Sequence, residues 1–177
     1  MFVDGGIAYL RRGAANFDEI QDTSVIAPRP MLVGEDNPHS SDPRHALYPS
    51  PPGCSGARLC AILGMDWRDY LRAFDRADLC SGRWDAAEAR ETAAEIRRTG
   101  AGIWHVLCGA KVARAFGLDP ATVAEPAHVR QLYEAGGGFV VVPHPSGRSR
   151  IWSDPTAAKT VRETLVKLGI VPRRELP

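Results

Sequence analysis

The chain delivers carboxylates and a histidine to the ends of two separate apolar runs. The first run, PMLVG (Pro30 to Gly34), leads into Glu35, Asp36 and Asn37. The second, beginning at Val141 in VVPHPSGRSR, leads into His144, Ser146, Arg148 and Arg150. A carboxylate can activate water or stabilise a cation, and a histidine can donate a hydrogen bond to a leaving group that gains negative charge. Together they suit cleavage between a cationic sugar and an anionic base, which is N-glycosidic hydrolysis. Arginines in the same loop suit phosphates or a wedge into a duplex.

Each of these residues also has a plainer role open to it. Asp36 and Asn37 would cap the turn before Pro38. His39 and His45 read as solvated loop residues or, with Asp36 and Asp42, as metal ligands, although no recognised ligand spacing supports a metal. His144 alone reads equally as a structural histidine, and Arg148 and Arg150 alone as solvated charges. His105 lies inside the apolar run IWHVLC and reads as structural. The four cysteines, Cys54, Cys60, Cys80 and Cys108, form no CxxC pair. They read as reduced, partly buried thiols rather than zinc or iron–sulfur ligands. Neither a metal nor a cofactor is expected.

These loops need elements to hold them. A chain of 177 residues with 44% hydrophobic residues predicts a single domain with a full core. The net charge of +1 neither requires nor excludes nucleic acid, because phosphate binding needs only a local patch. No run of eighteen apolar residues occurs, and the start, MFVDGGIAYLRRG, has no secretory character. A monomer in the cytoplasm, without membrane contact, is expected.

Residues 1–28 are weakly patterned and predict an irregular lead-in. Pro30 to Gly34 predicts the first strand, and a loop of 22 residues with five prolines follows. A helical pattern runs from Ala57 to about Phe74 with a break at Gly64. ADLC (Ala77 to Cys80) predicts a second strand. Asp85 and Glu88 have the form of a capping box for a helix that Gly100 ends. Ile103 to Cys108 predicts a third strand, AKVARAF a helix closed by Gly117, Pro126 to Ala135 another helix, and Phe139 to Val142 a fourth strand. A last helix starts near Asp154–Pro155. Strands alternating with helices, each strand a continuous apolar run, predict a three-layer α/β/α sandwich with a mainly parallel four-stranded sheet. Ligands of such sheets bind beyond the carboxyl ends of the strands, where the polar loops converge.

With these motifs in order, the chain resembles the uracil-DNA glycosylase superfamily as a divergent member. LVGEDNP (Leu32 to Pro38) is similar to its first motif, a strand followed by Gly-Gln-Asp-Pro, Gly-Glu-Ala-Pro or Gly-x-Asn-Pro. VVPHPSGR (Val141 to Arg148) is similar to its last, a strand followed by His-Pro-Ser or Asn-Pro-Ser-Gly. PGCSGARL (Pro52 to Leu59) and HVLCGAKVARAFG (His105 to Gly117) resemble the two intermediate features. The likeness covers roughly residues 28 to 170. It implies that Asp36, or the adjacent Glu35, orients or activates water, and that His144 stabilises the departing base oxygen. It implies that Tyr48 stacks on the flipped base, with Asn37 and Asp78 in the base pocket. Ser55, Gly56 and Ser146 would contact backbone phosphate, and Arg148, with Arg150 beside it, would fill the gap left by the extruded nucleotide. DNA is then the partner, and base excision in repair or antiphage defence the setting.

Three departures bear on the substrate. GEDNP carries one residue more before its proline than GQDP. His39 follows Pro38, where the strictest uracil enzymes carry a tyrosine that excludes a 5-methyl group. Asp78 stands where an asparagine reads uracil, and an ionised aspartate only accepts hydrogen bonds. The first leaves Glu35 and Asp36 both open as the water-positioning residue, and the other two point to an altered pyrimidine, 5-substituted or hypermodified as in phage DNA. Two alternatives stay open, a non-catalytic DNA- or base-binding module of the same fold and a metal-dependent hydrolase.

Overall fold

The computed structural model describes residues 28–37, 40–119, 126–130 and 137–173. The lead-in predicted over residues 1–28 lies almost wholly outside them, as do Pro38 and His39.

The apolar runs form strands β1 (Met31–Asp36), β2 (Asp75–Cys80), β3 (Trp104–Cys108) and β5 (Gly138–Val142). A short strand, β4 (His128–Arg130), completes one sheet of order β2-β1-β3-β5-β4. The first four pair in parallel, and β4 runs antiparallel to β5. The fold is thus the predicted α/β/α sandwich, with a fifth strand added at the edge. That strand overturns the helix predicted over Pro126 to Ala135, of which residues 131–135 are not described. Val129 sits opposite Val140, so the segment supplies hydrogen-bond partners to the otherwise open edge of β5. Satisfying that edge outweighs a weak helical pattern.

The helices cover both faces. On one face α1 (Ser55–Leu63), α2 (Trp67–Ala73) and α5 (Pro155–Lys167) bury Leu59, Leu63, Tyr70, Phe74, Val161 and Leu165 against Leu32, Val106, Val140 and Val142. On the other, α3 (Ala86–Thr99) and α4 (Ala110–Ala115) bury Ala89, Ala93, Ile96, Val112 and Phe116 against Val33, Leu79, Leu107, Phe139 and Val141. Strands sealed on both sides need apolar residues at every position, which explains the unbroken runs.

The boundaries follow local chemistry. Gly64 adopts the left-handed conformation (φ 64°) that ends α1 and separates it from α2. The Asp85 carboxylate accepts from the amides of Ala87 and Glu88 and so starts α3. The reciprocal half of the predicted capping box does not form. Glu88 instead accepts from the amide and hydroxyl of Ser81, and the Asp85 amide donates to Cys80 Sγ. Gly100 ends α3 without a left-handed turn (φ −98°). Its lack of a side chain matters because a Cβ there would overlap Nε2 of His105. Asp154 caps α5, with Pro155 at its first turn.

β1 lies between β2 and β3, and the chain leaves it toward β2 over one face and returns to β3 over the other. The carboxyl edge between β1 and β3 is therefore the topological switch point, where such sheets open a crevice.

Candidate functional site

Two strand boundaries differ from the sequence prediction, and both alter the site. β1 continues through Asp36, so Glu35 and Asp36 end the strand rather than begin a loop. β2 begins at Asp75, which places Asp78 inside the strand and opposite Gly34. Gly34 makes this pairing possible, because a Cβ at that position would overlap the Asp78 carboxylate. Side chains alternate along a strand and register partners share a face. Asp36 and Asp78 therefore share the face covered by α1 and α5, while Glu35 turns to the other. There Glu35 pairs with Lys111 at 3.0 Å, and the Lys111 ammonium lies 5.2 Å from the centre of the Trp84 ring. Lys111 stands one residue into α4, directly beyond the switch point.

Burial and the neighbouring Asp36 carboxylate push the Asp78 pKa up to about 6, with the Arg76 guanidinium pulling weakly the other way. Two carboxylates close together in a partly dry site resist double ionisation. Such a pair costs stability.

His144 lies just beyond β5, across Gly109 from Glu35. A Cβ on Gly109, whose φ is 107°, would come within 3.1 Å of His144 Cβ and 3.3 Å of Glu35 Oε1. Only glycine lets the loop after β3 pass between them. The Ser146 amide donates to His144 Nδ1 at 3.2 Å. An amide can only donate, so Nδ1 accepts and the neutral ring carries its proton on Nε2. Burial holds the His144 pKa below its usual value, despite the nearby Glu35 carboxylate. The ring is therefore a neutral hydrogen-bond donor at pH 7. Trp152 Nε1 donates to the His144 carbonyl at 2.8 Å and fixes the backbone there.

Tyr48 is 37% exposed and stands at the end of a tightly held turn. Leu47 before it has φ +44°, a strained conformation for a bulky residue. Buried Tyr70 donates to the Leu47 carbonyl at 2.9 Å, and Cys54 Sγ donates to the Tyr48 carbonyl at 3.2 Å. Gly56 allows this approach, since a Cβ there would overlap both carbonyl oxygens. Arg76 lies over the Tyr48 ring at 5.5 Å and donates to the Ala46 carbonyl. The ring is thus held by a cation while remaining partly exposed.

The remaining expected residues divide between two loops. Ser55 opens α1, and Gly56 follows it. Ser146 spends its amide on His144. Arg148 is exposed, and Arg150, also exposed, begins a 3-10 turn over Arg150–Ser153. Asn37 donates through Nδ2 to the His45 carbonyl, which ties it to the loop before Tyr48. Of the residues considered as metal ligands, Asp42 pairs with Arg44 at 2.6 Å and His45 Nδ1 meets Ser40 Oγ at 2.8 Å. His39 lies outside the described residues. Among the described residues no group of three or more His, Cys, Asp or Glu is placed to hold a metal ion. His105 is fully buried between Phe116 and Phe139, as its position in an apolar run predicts.

The sequence did not single out Arg58, Arg76, Lys111, Trp84, Tyr70 or Trp152. Arg76 carries a signal in hindsight, because a charge within a strand next to an apolar core needs a partner. The others act through tertiary proximity, which spacing does not encode. A groove of about 840 Å³ between α1 and α5, lined by Ile62, Arg162, Val166 and Lys167 among others, lies away from this edge, at the far end of α1. No helix among the described residues is long and apolar enough to cross a membrane.

No family model matches the chain, and no curated protein is significantly similar to it.

Proposed function

We propose that this protein is a DNA glycosylase of the uracil-DNA glycosylase type, which hydrolyses the N-glycosidic bond of a flipped-out pyrimidine and leaves an abasic site. The observation that carries it is a neutral, Nε2-protonated His144 at the same switch-point edge as the Glu35 and Asp36 carboxylates. The C1′–N1 bond breaks with its electrons going to the base, and Nε2–H donates to the base oxygen on which that charge develops. Water bonds to C1′ of the cationic sugar and gives a proton to the carboxylate. We assign the water to Asp36, because Lys111 already neutralises Glu35. We assign Tyr48 to stacking on the flipped base, and Ser55, Gly56, Ser146, Arg148 and Arg150 to contacts with the DNA backbone.

Asp78 is the residue that meets the base edge. Ionised, it accepts from an exocyclic amine of a cytosine-type base. The favoured substrate is an altered pyrimidine, 5-substituted or hypermodified, and the setting is base excision by a cytoplasmic monomer in repair or antiphage defence. The test is incubation with oligonucleotides carrying uracil, thymine mismatches or 5-substituted cytosines, followed by detection of free base and abasic sites. The expected result is abasic product from at least one altered pyrimidine, insensitive to EDTA. His144→Ala and Asp36→Asn should lower turnover by about 100-fold or more while DNA affinity stays within a few-fold. DNA binding with no abasic product across the panel would replace this function with a non-catalytic binding module, and loss of activity in EDTA with a metal-dependent hydrolase.

A further inference from the structure

Arg58 joins the two loops that flank the candidate site. It is the fourth residue of α1, and its Nε donates to the Gly53 carbonyl at 3.0 Å. Its guanidinium lies against Gly147 of the other loop. A Cβ on Gly147 would stand 2.7 Å from Nη2, 3.0 Å from Cζ and 3.3 Å from Nη1. Three guanidinium atoms within that range place the group in the space that a side chain on Gly147 would fill. Any side chain at position 147 would take the space that Arg58 occupies.

The charge is not consumed by this contact. Among the described residues no carboxylate forms an ion pair with Arg58, Arg148 or Arg150. All three are exposed, and Arg148 directly follows Gly147. A guanidinium has five N–H donors in a fixed fork, and the Gly53 carbonyl engages only the one on Nε. Those on Nη1 and Nη2 remain, beside an exposed loop with unpaired cations. That is the local equipment for a phosphodiester backbone, with contacts that set position rather than read sequence.

We propose that Arg58 is a backbone-phosphate clamp. It braces the Gly53 loop against Gly147 and offers its outer N–H donors to the DNA strand that passes between the two loops. Arg58 is a positioning residue and touches no reacting atom. The clamp presupposes the DNA-directed function proposed above, and the experiment separates the two.

Binding of a fluorescein-labelled, uracil-containing duplex is measured by anisotropy across a salt series, for the wild type, Arg58→Ala, Arg58→Lys, Gly147→Ala and the Ala/Ala double variant. Arg58→Ala should bind about tenfold more weakly at low salt. Its slope of log affinity against log salt should flatten by about one, as for the loss of one phosphate contact. Arg58→Lys should keep the wild-type slope, since the charge remains, with only part of the affinity restored. Gly147→Ala should push the guanidinium aside and weaken binding by less than Arg58→Ala, and the double variant should lose no more than Arg58→Ala alone, because the glycine acts only through the arginine. If Arg58→Ala fails to fold, judged by its melting curve, Arg58→Lys and Gly147→Ala decide the matter. A wild type that binds DNA beside an Arg58→Ala of unchanged slope, or strictly additive losses in the double variant, overturns the clamp and leaves the glycosylase intact. A wild type that binds no DNA at low salt overturns both.

Discussion

Asp78 is where chemistry and stability pull against each other most directly. Its pKa is raised to about 6 in the fold from an ordinary 3.8, first by burial and then by Asp36. A raised carboxylate pKa means that the folded state prefers the protonated form. The associated stability is fully present below pH 3.8 and is lost as pH rises through 6. At pH 8 the ionised group therefore opposes folding by up to about 3 kcal/mol. Asp78→Asn should stabilise the protein at pH 8 by roughly 1–3 kcal/mol and have little effect near pH 4, read from denaturant unfolding at the two values. It should also move base preference toward uracil, since an amide both donates and accepts. Equal stability changes at both pH values would show that Asp78 is not held as a strained acid. Activity that prefers the same base in both proteins would remove it from the base pocket.

At the scale of elements, the sequence was legible where a segment had one dominant tertiary demand. The unbroken runs in β3 and β5 announced strands covered on both faces, and Asp154–Pro155 announced the start of α5. It was less legible where a boundary depends on a neighbour. Nothing within PMLVGED indicates that β1 runs on to Asp36, because that extension is fixed by pairing of Asp36 with Cys80 of β2. Yet those two residues decide that Glu35 and Asp36 point to opposite faces and hold different partners. The edge strand β4 was hidden for the same reason. The candidate residues were found by type, but their division into an Asp36 on the face of Asp78 and a Lys111-bound Glu35 needed the register. Gly109 tests how tightly the elements set this arrangement. Its backbone (φ 107°, ψ 165°) lies in a region open almost only to glycine, and its missing Cβ separates His144 from Glu35. Gly109→Ala should destabilise by about 1–3 kcal/mol and reduce base release at least tenfold by displacing His144. Wild-type turnover in a folded Gly109→Ala protein would place the reacting atoms elsewhere.

Across the whole molecule, the two faces of the sheet carry opposite responses to acid. His105 is buried in the core beneath α3 and α4, and burial lowers its pKa to about 4 from 6.5. Burial outweighs the opposing pull of the Gly138 and Ile103 backbone groups, so the neutral ring is the form the core accepts. With a depressed pKa, its contribution is present above pH 6.5 and is lost as pH falls toward 4, by up to about 3 kcal/mol. Asp78, across the sheet, gains stability over nearly the same interval. The two changes have similar size and opposite sign, so Asp78 offsets most of what His105 loses between pH 6.5 and 4, and His144, whose pKa burial also lowers, adds a further loss on acidification. Removing one group should expose the other, because the sites lie on opposite faces and share no partner. Asp78→Asn should make the melting temperature fall steadily with acid across this window. His105→Leu, which keeps an apolar group of similar size, should make it rise. The double variant should return close to the wild-type profile, because His144 titrates in both proteins. Below pH 4 all four proteins should lose stability together, as the exposed helix-capping carboxylates Asp85 and Asp154, both held below the usual carboxylate range by backbone amides and, at Asp154, by the Thr156 hydroxyl, become protonated. Melting curves at half-unit pH steps on the four proteins resolve these slopes. Parallel curves for wild type and His105→Leu between pH 6.5 and 4 would mean that the buried histidine does not limit acid stability.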